Sequence, residues 1–157
     1  MDVNYTLLKL LHVVGGTIFI GNIIVTAFWK TMADRTREPK IAAFGQRLVN
    51  WTDFAFTSVG AFTLLITGLM MTYSFTEDLW EVAWVAWGLK LFLASGFLWA
   101  VILFPVQVKQ AWLARNFSEG EEIPVLYWRL GRIWLSVCFV AVLLPLINLY
   151  FMVYKPT

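Results

Sequence analysis

The chain reads as an all-α integral membrane protein, an antiparallel four-helix bundle with both termini on the outer (periplasmic) side. Three observations predict it. Of the 157 residues, 60% are hydrophobic, and mean hydropathy is +0.71; a soluble chain of this length cannot hide so much apolar surface. Four long apolar segments follow one another, at about 5–29, 52–75, 82–108 and 130–154, each near the ~20 residues that cross hydrocarbon. Lys and Arg cluster in two of the three connections, which belong on the cytoplasmic side. Residues 1–157 form a single transmembrane domain on this reading, and the lipid bilayer is its first partner. With a net charge of +2, nothing points to nucleic acid.

The first segment centres on KLLHVVGGTIFIGNIIVTAFWK, Lys9 to Lys30, in which only His12, Thr17, Asn22 and Thr26 carry ordinary polar side chains between the lysines. Asp2 precedes the lone Lys9, and the apolar run exceeds a usual signal-peptide core, so this is a retained helix. A basic loop follows, with Lys30, Arg35, Arg37, Lys40 and Arg47. The second helix begins near Asp53, read here as its cap or as a partner of Arg129 or Arg132. A short acidic turn, Thr76 to Glu81, leads to the third helix. The third connection, Lys109 to Arg129, is basic and holds a short interfacial helix before Ser118-Glu119-Gly120. The fourth helix contains Pro145, which should break it locally and free the Ala141 carbonyl. Trp29, Trp51, Trp112 and Trp128 mark one interface; Tyr73, Trp80, Trp84 and Tyr154 mark the other. Cys138, the lone cysteine, is a small packing residue.

Steps of three and four residues trace one face of each helix. His12, Gly15, Phe19, Asn22 and Thr26 share one on the first. Asp53, Thr57, Gly60, Leu64, Thr67 and Met71 share one on the second. Ala86, Lys90, Ala94 and Phe97 share a side of the third, and Gly131, Trp134, Cys138, Ala141, Pro145, Asn148 and Met152 a face of the fourth. Stripes of small, polar and sulfur-bearing residues suit helix packing and cofactor pockets. Counting turns from the outer surface places His12, Met70, Met71, Lys90 and Asn148 at similar depth.

His12 is the only histidine. Gly15 and Gly16 strip side chains from the surface beside it, which suits a haem edge or tight helix packing equally. As a metal ligand, His12 would hold haem iron with Met70, Met71 or a neutral Lys90 opposite. Otherwise Lys90 pairs with a propionate or snorkels to the interface, and His12 bonds a carbonyl or Asn148.

LLKLLHVVGGTIFIGNIIVTAFWK, NWTDFAFTSVGAFTLLITGLMMT and WVAWGLKLFLASGFLWAVILFPVQ resemble segments of a bacterial family of small integral membrane proteins of unknown function, one of the numbered DUF families. That family is in turn distantly similar to the CopD-like group, which includes HemJ-type protoporphyrinogen oxidases, through Leu11-His12 and through Trp87 and Lys90. The resemblance implies haem b on His12, a haem- or substrate-contacting Lys90, and a multi-pass place in the bacterial inner membrane. KTMADRTREPK departs from the HemJ pattern, lacking its proline–arginine-rich stretch and histidine.

Two functions are therefore expected. The first is electron transfer or membrane redox chemistry on haem b in a pocket lined by His12, Gly15, Gly16, Met70, Met71, Lys90 and Asn148. The alternative is a non-enzymatic accessory subunit of a larger respiratory or photosynthetic membrane complex, binding lipids or quinones without its own metal. A homodimer would double the helices and admit a transport reading, with His12 and Lys90 on an ion path.

Overall fold

The computed structural model describes residues 3–74, 80–117 and 122–155. Most of the expected acidic turn, including Glu77 and Asp78, and the segment Ser118-Glu119-Gly120 lie outside the described residues. The rest is helical: α1 (Val3–Arg35), α2 (Pro39–Thr52), α3 (Val59–Tyr73), α4 (Ala83–Leu98), α5 (Phe104–Ala114) and α6 (Val125–Tyr154). Two π-helical segments join them, π1 (Asp53–Ser58) between α2 and α3, and π2 (Trp99–Leu103) between α4 and α5. The result is four rods, Asn4–Arg35, Pro39–Tyr73, Ala83–Ala114 and Val125–Tyr154, each long and apolar enough to cross a membrane. The all-α four-helix architecture stands as expected.

The helix ends do not. The basic loop expected over residues 30–51 is almost entirely helix. α1 continues through Lys30 to Arg35, and Pro39 opens α2 at a position where its missing N–H has no helical partner to lose. Ala42, Ala43, Gly45, Gln46 and Val49 form the buried stripe of α2; the charges around them disguise a packing helix as a loop. In the third connection, residues 109–114 are likewise the end of α5 rather than a separate interfacial helix. At a rise of 1.5 Å the rods are roughly 45–52 Å long, against hydrocarbon about 30 Å thick. The surplus lies at the basic end, where Lys30, Arg35, Arg37, Lys40, Arg47, Lys109, Arg115, Arg129 and Arg132 gather.

The rods pack differently in their two halves. In the basic half α1, α2, α5 and α6 form a closed ring, each touching the next. In the other half α3 stays on α1 and α4 stays on α6, while α3 and α4 scarcely meet. The two π segments lie where the middle rods part. A π turn holds its backbone bonds at i→i+5 and so takes in extra residues per turn, which rotates the face that follows.

Close approach holds each pair together, as expected where lipid removes the hydrophobic drive and dispersion decides. A Cβ on Gly60 would stand 2.9 Å from the Gly15 carbonyl oxygen and from the Phe19 nitrogen, and one on Gly15 would stand 3.0 Å from Thr63 Cγ2. On the other pair, a Cβ on Gly88 would run into Met152 Cε and stand 2.8 Å from Asn148 Oδ1. The buried threonines return their hydroxyls to the preceding turn; Thr67 and Thr72 donate to the carbonyls of Thr63 and Gly68, so they cross lipid without an orphaned polar group.

Pro145 does not break α6, which runs unbroken from Val125 to Tyr154. The Ala141 carbonyl accepts instead from Ser95 Oγ at 3.0 Å, so α4 supplies the hydrogen bond that the proline removes. The inward stripes expected on α1, on the second rod and on α6 hold. The one on α4 is corrected: Lys90, Ala94 and Phe97 are exposed, and Val85, Ala86, Gly88 and Ser95 are buried. Gly88 and Ser95 lie seven residues apart, two turns along the seam that α6 fills.

Gly60→Ala should lower the thermal midpoint in detergent, since overpacking costs about 1–3 kcal/mol. Gly21→Ala, whose Cβ would meet nothing within 4 Å, should leave it unchanged or slightly raised. Equal midpoints for the two would contradict the crossing described.

Candidate functional site: a cavity where the middle helices part

The closed ring ends in a polar layer. Asn22, Thr26, Thr52, Asp53, Thr57 and Gln107 meet there from α1, the second rod and α5. Asp53 is 7% exposed and sits inside a continuous helix rather than capping one. Its Oδ2 accepts from Gln107 Nε2 at 2.6 Å. Its Oδ1 accepts from Thr57 Oγ1 at 3.0 Å and from Asn22 Nδ2 at 3.4 Å. Asn22 Nδ2 also donates to Thr57 Oγ1 at 2.8 Å, and Thr26 Oγ1 donates to Asn22 Oδ1 at 3.3 Å. The expected pairing with Arg129 or Arg132 is not made; among the described residues no cation reaches Asp53, and every donor to it is neutral. A buried carboxyl needs such donors once ion pairing is absent.

Above this layer, between the parted rods, lies a cavity of about 180 Å³. Its walls are mostly apolar: Phe19, Ile23, Phe62, Leu65, Phe92 and Leu103 among others. Asp53, Thr57 and Gln107 close its polar floor, and Ser95, Trp99, Trp134 and Cys138 line its side. Both π segments contribute, Asp53, Thr57 and Ser58 from π1 and Trp99 and Leu103 from π2. Two indoles belong to this wall. The Trp134 indole nitrogen is buried with no partner. The Trp99 indole turns toward the Asp53 carboxyl but meets no acceptor at bonding geometry. Phe62 and Gly96, both exposed, carry the lining out to the lipid-facing gap between α3 and α4. A Cβ on Gly96 would meet nothing within 4 Å, so the gap is open there.

The residues proposed from sequence are distributed over the other half of the bundle. His12 is half-buried on the α1–α3 seam; its Nδ1 lies 2.9 Å from Thr67 Oγ1, and its Cε1 would stand 3.1 Å from a Cβ on Gly68. Gly15 and Gly16 face Thr63, Gly60 and Leu64 of the same seam. Met70 is exposed and Met71 half-buried. Lys90 is exposed, its Nζ 4.8 Å from the Trp87 ring centre and 5.5 Å from that of Trp80, a cation on indole faces at the rim. Asn148 belongs to the other seam, where its Nδ2 donates to the Gly88 carbonyl at 3.0 Å. His12 and Thr67 are thus brought together, while His12, Lys90 and Asn148 are not. For haem b the fit inside one chain is poor: α3 occupies the space beside Gly15 and Gly16, the ring of His12 is packed on Gly68, and His12 lines neither of the cavities described here.

The sequence puts Asp53 on the inward face but suggests a cap or an arginine partner for it, and it gives no prominence to Gln107, Ser95 or Trp99. Asp53 and Gln107 lie in rods that seemed to end beside them, so they read as interfacial. A signal existed: Asn22, Asp53 and Gln107 are non-basic polar residues at matching depth on three rods, which in a membrane points to mutual bonding.

Exchanging the polarity of the floor should test it. Asp53→Asn and Gln107→Leu should each lower the thermal midpoint, by about 1–3 kcal/mol for a donor left unsatisfied. Asp53→Asn with Gln107→Glu restores one donor and one acceptor across the 2.6 Å contact, so the pair should lose less than the sum of Asp53→Asn and Gln107→Glu made singly. Strict additivity would show the contact to be absent.

No curated protein and no solved structure matches the chain. A family model does, over residues 6–156, nearly the whole of it. With four membrane-crossing rods and a polar layer buried between them, the chain belongs to the family described as "Predicted integral membrane protein (DUF2269)".

Proposed function

We propose that this protein is a metal-free intramembrane binding protein for a lipid-soluble, carbonyl-bearing ring of the quinone class, held in the cavity between the two π segments. The observation that carries it is a ring-sized apolar space lined by Trp99 and Trp134, with the Trp134 indole nitrogen buried and without a partner. An apolar cavity of about 150 Å³ takes up benzene, so about 180 Å³ admits one six-membered ring with little to spare. A ring carbonyl accepting from Trp134 Nε1 satisfies a donor that is otherwise buried alone. The gap at Gly96 lets the ring arrive sideways from lipid, with its tail left among the acyl chains.

This is the chemistry of an accessory subunit that holds a quinone beside a larger membrane redox complex. The charge distribution supports a cytoplasmic place for the basic end and an outer place for both termini, since nine of the twelve Lys and Arg lie at the basic end. That is the arrangement of a protein of the bacterial inner membrane. Haem b on His12 is the competing reading, and one purification separates the two.

The full chain, purified gently and expressed with ample haem, should show no Soret band that sharpens on reduction. Organic extraction should yield quinone at about one per chain, one site being filled. Gly96→Leu should fold as well as the wild type, because that surface is open and glycine is the poorer helix former by about 1 kcal/mol, yet retain little quinone. A Soret band lost in His12→Ala, or quinone retained equally by Gly96→Leu, would overturn the proposal.

A further inference from the structure

A second cavity lies at the basic end, on the α1–α6 side of the ring, with Trp134 the one lining residue that it shares with the first. It has a volume of about 610 Å³ and runs between the end of α1 and the start of α6. Arg35, Arg37 and Arg132 line it together with Lys30, Asp34 and Trp128. The single carboxylate in that set is already engaged. Lys30, only 2% exposed, forms an ion pair with Asp34 and donates to Tyr127 Oη at 2.7 Å. Tyr127 Oη donates in turn to Asp34 Oδ1 at 2.9 Å. The lysine, carboxylate and phenol thus satisfy one another and fix the inner wall. Three exposed arginines are left over, and among the described residues none of them has an ion-pair partner. Positive charge therefore accumulates in a concave site whose one lining carboxylate, Asp34, is taken up by Lys30.

The backbone at Arg37 adds an independent sign. Arg37 adopts φ 57°, the left-handed region in which glycine is the ordinary residue after a helix. Its N–H bonds the Asp34 carbonyl at 3.2 Å, so it closes α1 in the usual way but with an unfavoured side chain. A strained arginine kept at such a position points to a task for its guanidinium. The groove is also not a purely aqueous one. Leu135, 44% exposed, and half-buried Trp128 lie along it, placing an apolar strip next to the arginines at the depth where headgroups meet acyl chains.

We infer that this groove binds the phosphate of an anionic phospholipid, with Arg35, Arg37 and Arg132 around the phosphate oxygens and the first acyl carbons along Trp128 and Leu135. Guanidinium groups suit phosphate because their paired N–H donors match two of its oxygens, and basic pockets between membrane helices take such headgroups. The apolar strip selects a lipid phosphate over a free one, and the three arginines disfavour the choline headgroup, whose cation would face them.

The test is native mass spectrometry of the full chain in detergent, titrated with phosphatidylglycerol, with phosphatidylcholine of the same acyl chains, and with glycerol phosphate as the soluble arm. Phosphatidylglycerol should bind at least about tenfold more tightly than either. Arg132→Gln should weaken it by a similar factor. Arg37→Gly separates binding from folding: it relieves the left-handed residue, so the thermal midpoint should rise while phosphatidylglycerol affinity falls. Equal binding of the two lipids, tight binding of glycerol phosphate, or unchanged lipid affinity in both Arg132→Gln and Arg37→Gly would each overturn the inference.

Discussion

The contact on which the interior depends is the 2.6 Å hydrogen bond from Gln107 to Asp53. It is the tie between the two middle rods at the level where they part. Below it α2 and α5 pack on each other and the bundle is a closed ring; above it α3 and α4 follow different partners. A hydrogen bond from an amide to a carboxyl in a crowded interior resists separation because both groups would be left unsatisfied in lipid. The π segments flank this tie. They change the face of each middle rod within a single turn, without the break that would expose backbone groups to hydrocarbon.

The cavity is placed by the same constraint. Were the middle rods packed along their whole length, no interior space would remain. Because they part only above the polar floor, the cavity is wet-compatible at one end and apolar elsewhere, with indole donors between. Ser95 shows how economical the arrangement is. Its hydroxyl repairs the hydrogen bond that Pro145 removes from α6, and the same residue lines the cavity. The basic end is a separate unit, built on the mutual satisfaction of Lys30, Asp34 and Tyr127, which frees the surrounding arginines.

Much of the fold was legible in the sequence because hydrocarbon imposes a length and a composition. The four apolar segments, and the inward stripes of α1, the second rod and α6, follow from spacing alone. The helix ends were hidden where charge and helix coincide, as from Lys30 to Arg47: an amphipathic helix outside the hydrocarbon carries the composition of a loop. The α4 stripe was misread because Lys90 drew attention to a face that turns outward onto Trp80 and Trp87. By sequence the glycines beside His12 suit haem and helix packing equally; the structure sets Gly60 and Thr63 opposite them. Asp53 looked like a cap because the rod beyond it looked like a loop; one misplaced boundary hid the polar floor. The π segments left no mark that a count of turns could detect.

On the proposed reading, the cavity between π1 and π2 receives a ring carbonyl at Trp134. Indole emission reports this directly, because a quinone within contact distance quenches a tryptophan. Titrating the delipidated protein in detergent with a short-chain benzoquinone should give saturable quenching, and Trp134→Phe should remove the saturable part while leaving the weak, linear quenching of the exposed tryptophans. Saturable quenching that survives in Trp134→Phe, or linear quenching alone in the wild type, would contradict it.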